Sequence, residues 1–255
     1  MFRLDIHMVS RQAVQAFFTH RLPRYLPHLS VDCVIFGFHD ADLKLLLLKW
    51  KGLDVWALPG GYVDRRRPVD AAANRILLDR TGLREVHLRQ FRAFGGLNRG
   101  EGQARRLYAR LGIDVPRDAW PLRRVVSIGY YALVDSRKVR PRPDYLSDSC
   151  TWYPIDARPP LAFDHDDIVD RALDALRATL DSPLAGATLL PERFTMPELQ
   201  RLHEAILGRR LDRRNFHKRM LERGGLERLP ERRMGGAHRA PYLYRFRRRR
   251  SRASD

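Results

Sequence analysis

Hydrophobic and polar positions divide the chain into two textures. Ser30–Phe38 (SVDCVIFGF) is an apolar run of strand length, and after the polar turn His39–Asp42 a second run, Leu43–Lys49, follows. Trp56–Gly61 (WALPGG) reads as a strand entering a glycine-rich loop. Ala72, Ala73, Ile76 and Leu77 recur at helical spacing and predict a helix over Val69–Arg80, stopped by Gly82. Val86–Phe94, Val125–Val134 and Cys150–Ile155 predict three more strands. Between the first two lies a Gly- and Arg-rich insertion, Gly95–Leu122, with its own short helix near Ala104–Leu111. Residues 1–29 read as a helical extension, with Val14, Phe17 and Phe18 in helical register and Pro23 and Pro27 ending it.

After Pro159–Pro160 helical periods take over. Ile168, Ala172, Leu173, Leu176 and Leu180 form one stripe, predicting a helix over Asp164–Leu180 with Asp164 as its cap. Thr195 followed by Glu198 is a capping box for a helix ending at Gly208. Asp212 caps a third helix reaching Gly224, with Phe216, Met220 and Leu221 as its apolar face. Leu226–Leu229, a turn at Gly235–Gly236 and Tyr242–Phe246 then make a hairpin, whose Tyr242, Tyr244 and Phe246 alternate onto one face. Helix, helix, helix, hairpin is the plan of a winged helix-turn-helix. The expected organisation is an extension over 1–29, an α+β domain over 30–160, a linker helix over 161–182, and a winged helix-turn-helix with a basic tail over 183–255.

Charge gives this division a function. The 255 residues carry 48 Lys/Arg against 30 Asp/Glu, a formal net charge of +18. Pro191–Asp255 alone holds 19 Lys/Arg and 8 Asp/Glu, a net of +11, so the last quarter carries over half of the excess. A basic module at one end of a folded chain is the electrostatic footprint of a nucleic-acid binder. The longest apolar run, Tyr130–Val134, is far too short for a membrane span. Arg3, Asp5, His7 and Arg11 interrupt the N-terminal apolar residues, unlike a secretion signal. Two cysteines, Cys33 and Cys150, with no CxxC pair, exclude a four-cysteine zinc site and read as reduced core residues of a cytoplasmic protein.

Candidate chemistry lies at Gly61–Leu83 (GYVDRRRPVDAAANRILLDRTGL), which resembles the Nudix box, with WALPGG before it and Thr81-Gly82-Leu83 closing it. The resemblance implies a Nudix-like sheet with helices on both sides, an α/β/α sandwich. In that family, glutamates of the helix gather Mg²⁺ on a diphosphate, because hard dications need several carboxylate oxygens. Here Arg67, Ile76, Asp79 and Arg80 stand at the glutamate positions, and Arg75 keeps the family's arginine. Cations at 67 and 80 repel Mg²⁺ by several kcal/mol at an effective dielectric of about 20. The expectation is therefore a retained fold without catalytic or metal-ligating residues. The cleft becomes a receptor in which Gly60 and Gly61 amides with Arg67, Arg75, Asp79 and Arg80 hold a small effector, without a cofactor. The rival reading is a divergent Mg²⁺-dependent pyrophosphohydrolase of ADP-ribose or nucleotide sugars that uses Asp64 and Asp79. Asp164, His165, Asp166 and Asp167 read as helix-start residues before metal ligands. With no GxSxG, a serine nucleophile elbow is absent.

Leu190–Gln200 (LPERFTMPELQ), Leu211–Phe216 (LDRRNF), Gly235–Phe246 (GGAHRAPYLYRF) and Val126–Leu133 (VSIGYYAL), taken with the box, resemble NrtR-type Nudix-related transcriptional regulators over residues 30–246. The resemblance implies a Nudix-like effector domain joined to a winged helix-turn-helix. It also implies control of NAD metabolism or sugar catabolism, and ADP-ribose-like or sugar effectors that release DNA. The residues agree independently. Arg213, Arg214, Asn215 and Lys218 lie near the start of the third helix, where arginine reads guanine, asparagine reads adenine and the helix dipole meets phosphate. Arg232, Arg233, His238 and Arg239 flank the glycine turn, as a wing on a minor groove or phosphate would. The expected partners are an operator in double-stranded DNA, a small-molecule effector and a second copy of the chain, since two-fold dimers match paired half-sites. A sequence-blind RNA-associated protein is the remaining alternative.

Overall fold

The computed structural model describes residues 16, 21–39, 42–97, 99, 102–110, 115–180, 190–233 and 240–247. Val14, Phe17, Phe18 and the Gly235–Gly236 turn lie outside the described residues. The chain forms two compact units, one drawn from Met1–Gly37 and Lys44–Leu173, the other from Phe38–Leu43 and Asp174–Asp255.

The first unit is built on strands β1 (Tyr25–His39), β2 (Asp42–Trp50), β3 (Trp56–Ala57), β4 (Gly60–Asp64), β5 (Arg89–Phe94), β6 (Val126–Asp135) and β7 (Ser147–Pro154). They form one seven-stranded sheet in the order β3-β2-β1-β6-β5, with β4 also pairing with β1 and β7 with β2. Helix α1 spans Val69–Thr81, α2 spans Gln103–Arg110 and α3 spans His165–Thr179. In β1, Val31, Cys33 and Ile35 enter a core with Ala72, Ala73 and Leu77 of α1, while the alternate residues Val34 and Phe36 are buried as well. A strand covered on both faces reads as a continuous apolar run, which is the pattern of SVDCVIFGF. Gly82, at φ 72°, ends α1 by donating its N–H to the Leu78 carbonyl. Burial pushes the Cys150 thiol up to about 12 and that of Cys33 higher still.

β1 begins at Tyr25, five residues ahead of its expected start at Ser30. Pro27 does not end the segment. It lies where the register against β4 shifts between Tyr25 and Ser30, beside His28 at φ 62°, a bulge in which the missing proline N–H costs no ladder bond. Among the described residues ahead of the strand, Ala16 is helical and Leu22–Arg24 form a 3-10 turn.

The second unit follows the expected order: β8 (Phe194–Thr195), α4 (Met196–Leu207), α5 (Arg213–Glu222), β9 (Leu226–Arg232) and β10 (Tyr242–Phe246). The strands form a sheet in the order β8-β10-β9. Phe194, Met196, Leu199, Phe216, Met220, Leu226 and Tyr244 make its core, with Tyr242 and Phe246 packed against it. Leu221, expected on the apolar face of α5, is 46% exposed instead, because Phe216 and Met220 already fill the narrow stripe that this short helix buries. The capping box of α4 is closed on both sides. The Thr195 N–H donates to Glu198 Oε2 at 2.7 Å and the Glu198 N–H to Thr195 Oγ1 at 3.4 Å. Thr195→Ala is expected to destabilise this unit by about 1 kcal/mol, read as a lower urea midpoint with unchanged m-value.

Candidate functional site

Gly60 and Gly61, expected in a loop, instead open strand β4 and lie against β1, because their missing side chains let the two backbones pair. Asp32 pairs with Gly60 and Val31 with Gly61 across the strands, and the Cys33 N–H donates to the Pro59 carbonyl at 2.8 Å. A Cβ on Gly60 would lie 2.2 Å from Asp32 Oδ1, so only glycine allows that carboxylate to sit beneath the loop. A Cβ on Gly61 would lie 3.4 Å from Ile76, whose side chain covers the loop from α1.

The remaining residues expected to hold an effector disperse. Arg67 is exposed on the turn after β4, its N–H bonded to the Asp64 carbonyl. Arg75 Nε donates to Asp79 Oδ2 at 2.8 Å, an exposed pair one helical turn apart. Asp79 is therefore engaged by Arg75, although its spacing of three from Ile76 puts it beside that residue on the helix. Arg80 runs inward to Asp144, with side-chain exposures of 12% and 6%. Ser147 Oγ donates to the same carboxylate at 2.7 Å, and Arg80 Nε is buried without a hydrogen-bond partner. Asp64 is spoken for as well. The Arg66 N–H and then Arg24 Nε, at 2.8 Å, hold its carboxyl below the usual range. The residues present do not fit a Mg²⁺ cluster. One former ligand position is apolar, one is a guanidinium already neutralised, and Asp79 is turned to Arg75. Among the described residues no group of three or more His, Cys, Asp or Glu is placed to hold a metal ion.

Beneath the loop lies a buried polar cluster that no local spacing signals. Arg99, from the insertion, has an 8% exposed side chain. It donates to Asp32 Oδ2 at 2.9 Å, Asp164 Oδ2 at 2.7 Å and the Val125 carbonyl at 3.1 Å. Ser127 Oγ donates to Asp32 Oδ2 at 2.6 Å. The Leu58 N–H donates to His165 Nδ1 at 3.0 Å, leaving Nε2 to carry the proton 3.6 Å from Asp32 Oδ1. Burial lowers the pKa of His165 and keeps the ring neutral. Asp164 was expected to cap α3 with its side chain; its carbonyl accepts the Ile168 N–H, while the carboxylate goes to Arg99. The one signal in the sequence was Asp32 itself, an acid inside an apolar strand. The ring of Tyr62 lies 4.6 Å from that of Trp120, edge to face, and its hydroxyl bonds with Tyr108 of α2. The insertion thus supplies an arginine to the cluster and two aromatic rings to Tyr62.

In the second unit, Asp212 Oδ1 accepts the Asn215 N–H at 2.8 Å and starts α5. Phe216 and Met220 anchor the helix, which turns Arg213, Arg214, Asn215 and Lys218 to solvent. Arg213, Arg214, His217 and Lys218 line an open groove of about 600 Å³, with Met196, Pro197 and Gln200 of α4 and Tyr242 and Tyr244 of β10 among its walls. Asn215, exposed on the same turn, is not part of the lining. Arg232, expected on the wing, lies 4.1 Å from the Tyr242 ring centre, whereas sequence reasoning missed Arg228, 4.6 Å from the same ring, and His217, 3.2 Å from the Tyr244 hydroxyl. His238 and Arg239 lie outside the described residues.

Comparison with known proteins joins the two units. Residues 186–246 match the NrtR DNA-binding winged helix domain. The chain is 30% identical over 227 residues to the ADPR responsive transcriptional repressor NtrR of Acinetobacter baylyi, covering 86% of this chain and 82% of the relative. The crystal structure of Shewanella oneidensis NrtR complexed with a 27mer DNA is similar at a TM-score of 0.61 and 26% identity, over 86% of this chain and 93% of that one. A MutT/nudix family protein from Enterococcus faecalis shares the fold at a TM-score of 0.64 and 20% identity, over 93% of this chain and 98% of that one. A winged helix with a basic groove that matches the family's DNA-binding domain, and a relative 30% identical across both units, place the chain in the NrtR family of Nudix-related transcriptional regulators.

Proposed function

We propose that this protein is a DNA-binding transcriptional regulator whose Nudix-like unit senses ADP-ribose or a closely similar nucleotide and does not hydrolyse it. The groove on the second unit carries the reading. Two arginines and a lysine at the start of a helix, beside a wing strand with two more arginines, match the phosphates and base edges of a major groove. The A. baylyi relative responds to ADP-ribose, and the dismantled metal site of this chain favours sensing over turnover. Gly60–Gly61 is the proposed entry point, with Arg67 and Arg80 as cations around it. Arg75 and Asp79, occupied with each other, are a weaker part of that set. No described helix is long and apolar enough to cross a membrane, and we assign the protein to the cytoplasm, acting as a homodimer on paired half-sites.

The test is selection of duplexes from a random pool, followed by fluorescence anisotropy with and without ADP-ribose. The expected result is an enriched two-fold symmetric sequence bound about a thousandfold more tightly than random DNA, with an affinity that changes on adding ADP-ribose. No AMP is expected when the protein is incubated with ADP-ribose and Mg²⁺. Equal affinity for every duplex and for single-stranded RNA would defeat the reading, as would Mg²⁺-dependent turnover.

A further inference from the structure

Helix α3 begins in the first unit and ends in the second. Its first turn is bound to the floor of the cleft through Asp164 and His165, and it buries Ile168, Val169 and Ala172. Arg158 tightens that end through Asp166 and Asp170, at 3.0 and 2.8 Å. Its last turn is bound within the second unit, where Arg177 Nε donates to the Ile206 carbonyl of α4 at 3.1 Å. Arg223, just after α5, donates to the carbonyl of Leu180 at 3.1 Å. One continuous helix therefore makes its first bonds within the first unit and its last bonds within the second.

The cleft end hangs on a single cation. Arg99 holds Asp32 of β1 and Asp164 of α3 with different nitrogens of one guanidinium, and the neutral His165 adds no charge. Two carboxylates on one guanidinium leave the cluster with a net negative charge, and Asp164 Oδ1 is buried without a hydrogen-bond partner. Arg99 spans the two carboxylates, and a competing anion would offer its guanidinium a second arrangement in which Asp164 loses its bond. A diphosphate is such an anion, and the Gly60 backbone of the expected effector site lies directly over Asp32.

We infer that Arg99 is the positioning residue that couples effector to DNA: the anionic group of the effector draws its guanidinium from Asp164, freeing the first turn of α3, and the shift reaches α4 through Arg177. This rests on the reading of the first unit as an effector sensor and adds the route by which occupancy is transmitted. Coupling needs an element with two arrangements that both ligands bias, and α3 with its Arg99 latch is that element.

The test uses the full-length protein, ADP-ribose and a duplex selected by the native chain. Three quantities are measured: the Kd for ADP-ribose, the Kd for DNA, and the ratio of DNA Kd values with and without saturating ADP-ribose. For the native protein that ratio is expected to be about tenfold. Asp164→Asn, which removes the charge tying α3 to Arg99, is expected to bind DNA and still bind ADP-ribose, with a ratio of less than about twofold. Should that variant fail to fold, Asp164→Ser carries the same expectation, because it also removes the carboxylate held by Arg99 while leaving the guanidinium in place. A merely structural role would weaken stability and leave the ratio intact. If the native protein responds and both variants respond equally, the coupling inference is overturned while the sensor reading stands. If the native protein does not respond to ADP-ribose, the sensor reading fails and the inference falls with it.

Discussion

Replacing Arg213 and Arg214 together with alanine is expected to weaken binding to the selected duplex by about a hundredfold or more, from about 1–3 kcal/mol per base-reading arginine. Both side chains line the groove, and neither is part of the core that Phe216 and Met220 build. Their loss therefore leaves stability within about 0.5 kcal/mol, so affinity and folding separate cleanly. The salt dependence distinguishes what each residue touches. If both read bases, the selected sequence loses affinity and random DNA does not. If either neutralises a phosphate, the slope of log K against log salt becomes shallower by about one per residue. Lys218→Ala is the comparison, because its ammonium lies 3.8 Å from Glu222 on an exposed helix face and supplies point charge without a fork. Anisotropy titrations at several salt concentrations check this, and a double variant within about threefold of native would remove α5 from the interface.

Arg80→Met is expected to destabilise the first unit by about 3–5 kcal/mol, whereas Asp79→Ala costs less than about 1 kcal/mol. The two residues are adjacent in sequence and both occupy former metal-ligand positions, so the contrast comes from burial. Arg80 and Asp144 are 12% and 6% exposed, and removing the guanidinium leaves a buried carboxylate with only Ser147 Oγ and nearby backbone N–H groups as donors. Asp79 and Arg75 are 51% and 55% exposed, where water replaces the lost partner. Replacing both buried partners, as Arg80→Met with Asp144→Leu, is expected to recover most of the loss, because an apolar pair carries no unpaired charge. Chemical denaturation of the three variants measures this directly. Equal losses for Asp79→Ala and Arg80→Met would show that Arg80 is not the buried structural cation described above. The same contrast bears on function: an Asp79 that held a catalytic metal would matter to turnover, and here it holds only its neighbour.

Much of this was legible locally. The capping box at Thr195 and Glu198, the Gly82 stop of α1 and the Asp212 cap of α5 are short-range devices whose partners lie within four residues, so spacing alone reveals them. The loss of metal ligands at 67, 76 and 80 was equally plain, because carboxylate count is a property of composition at defined positions. Partners far apart in the chain were not legible. Arg80 meets Asp144 across 64 positions and Arg99 meets Asp32 across 67, and an arginine bound for solvent has the same letter as one bound for a buried ion pair. The bulge at Pro27 and His28 was misread for a related reason: a proline stops a helix, but an irregular strand pairing accommodates it.

By itself the chain of letters determined the order of most strands and helices, the uneven placement of charge and the replacement of box glutamates by Arg67, Ile76 and Arg80, because each follows from periodicity, composition or spacing along the backbone. Tertiary structure alone decided that Arg75 and Asp79 satisfy each other at the surface, that Arg80 is a buried strut, and that Arg99 ties the insertion to Asp32 and α3. The physical reason is that a charge is placed by the cost of leaving it unpaired away from water, and which partner meets that cost depends on what the folded sheet brings within about 3 Å.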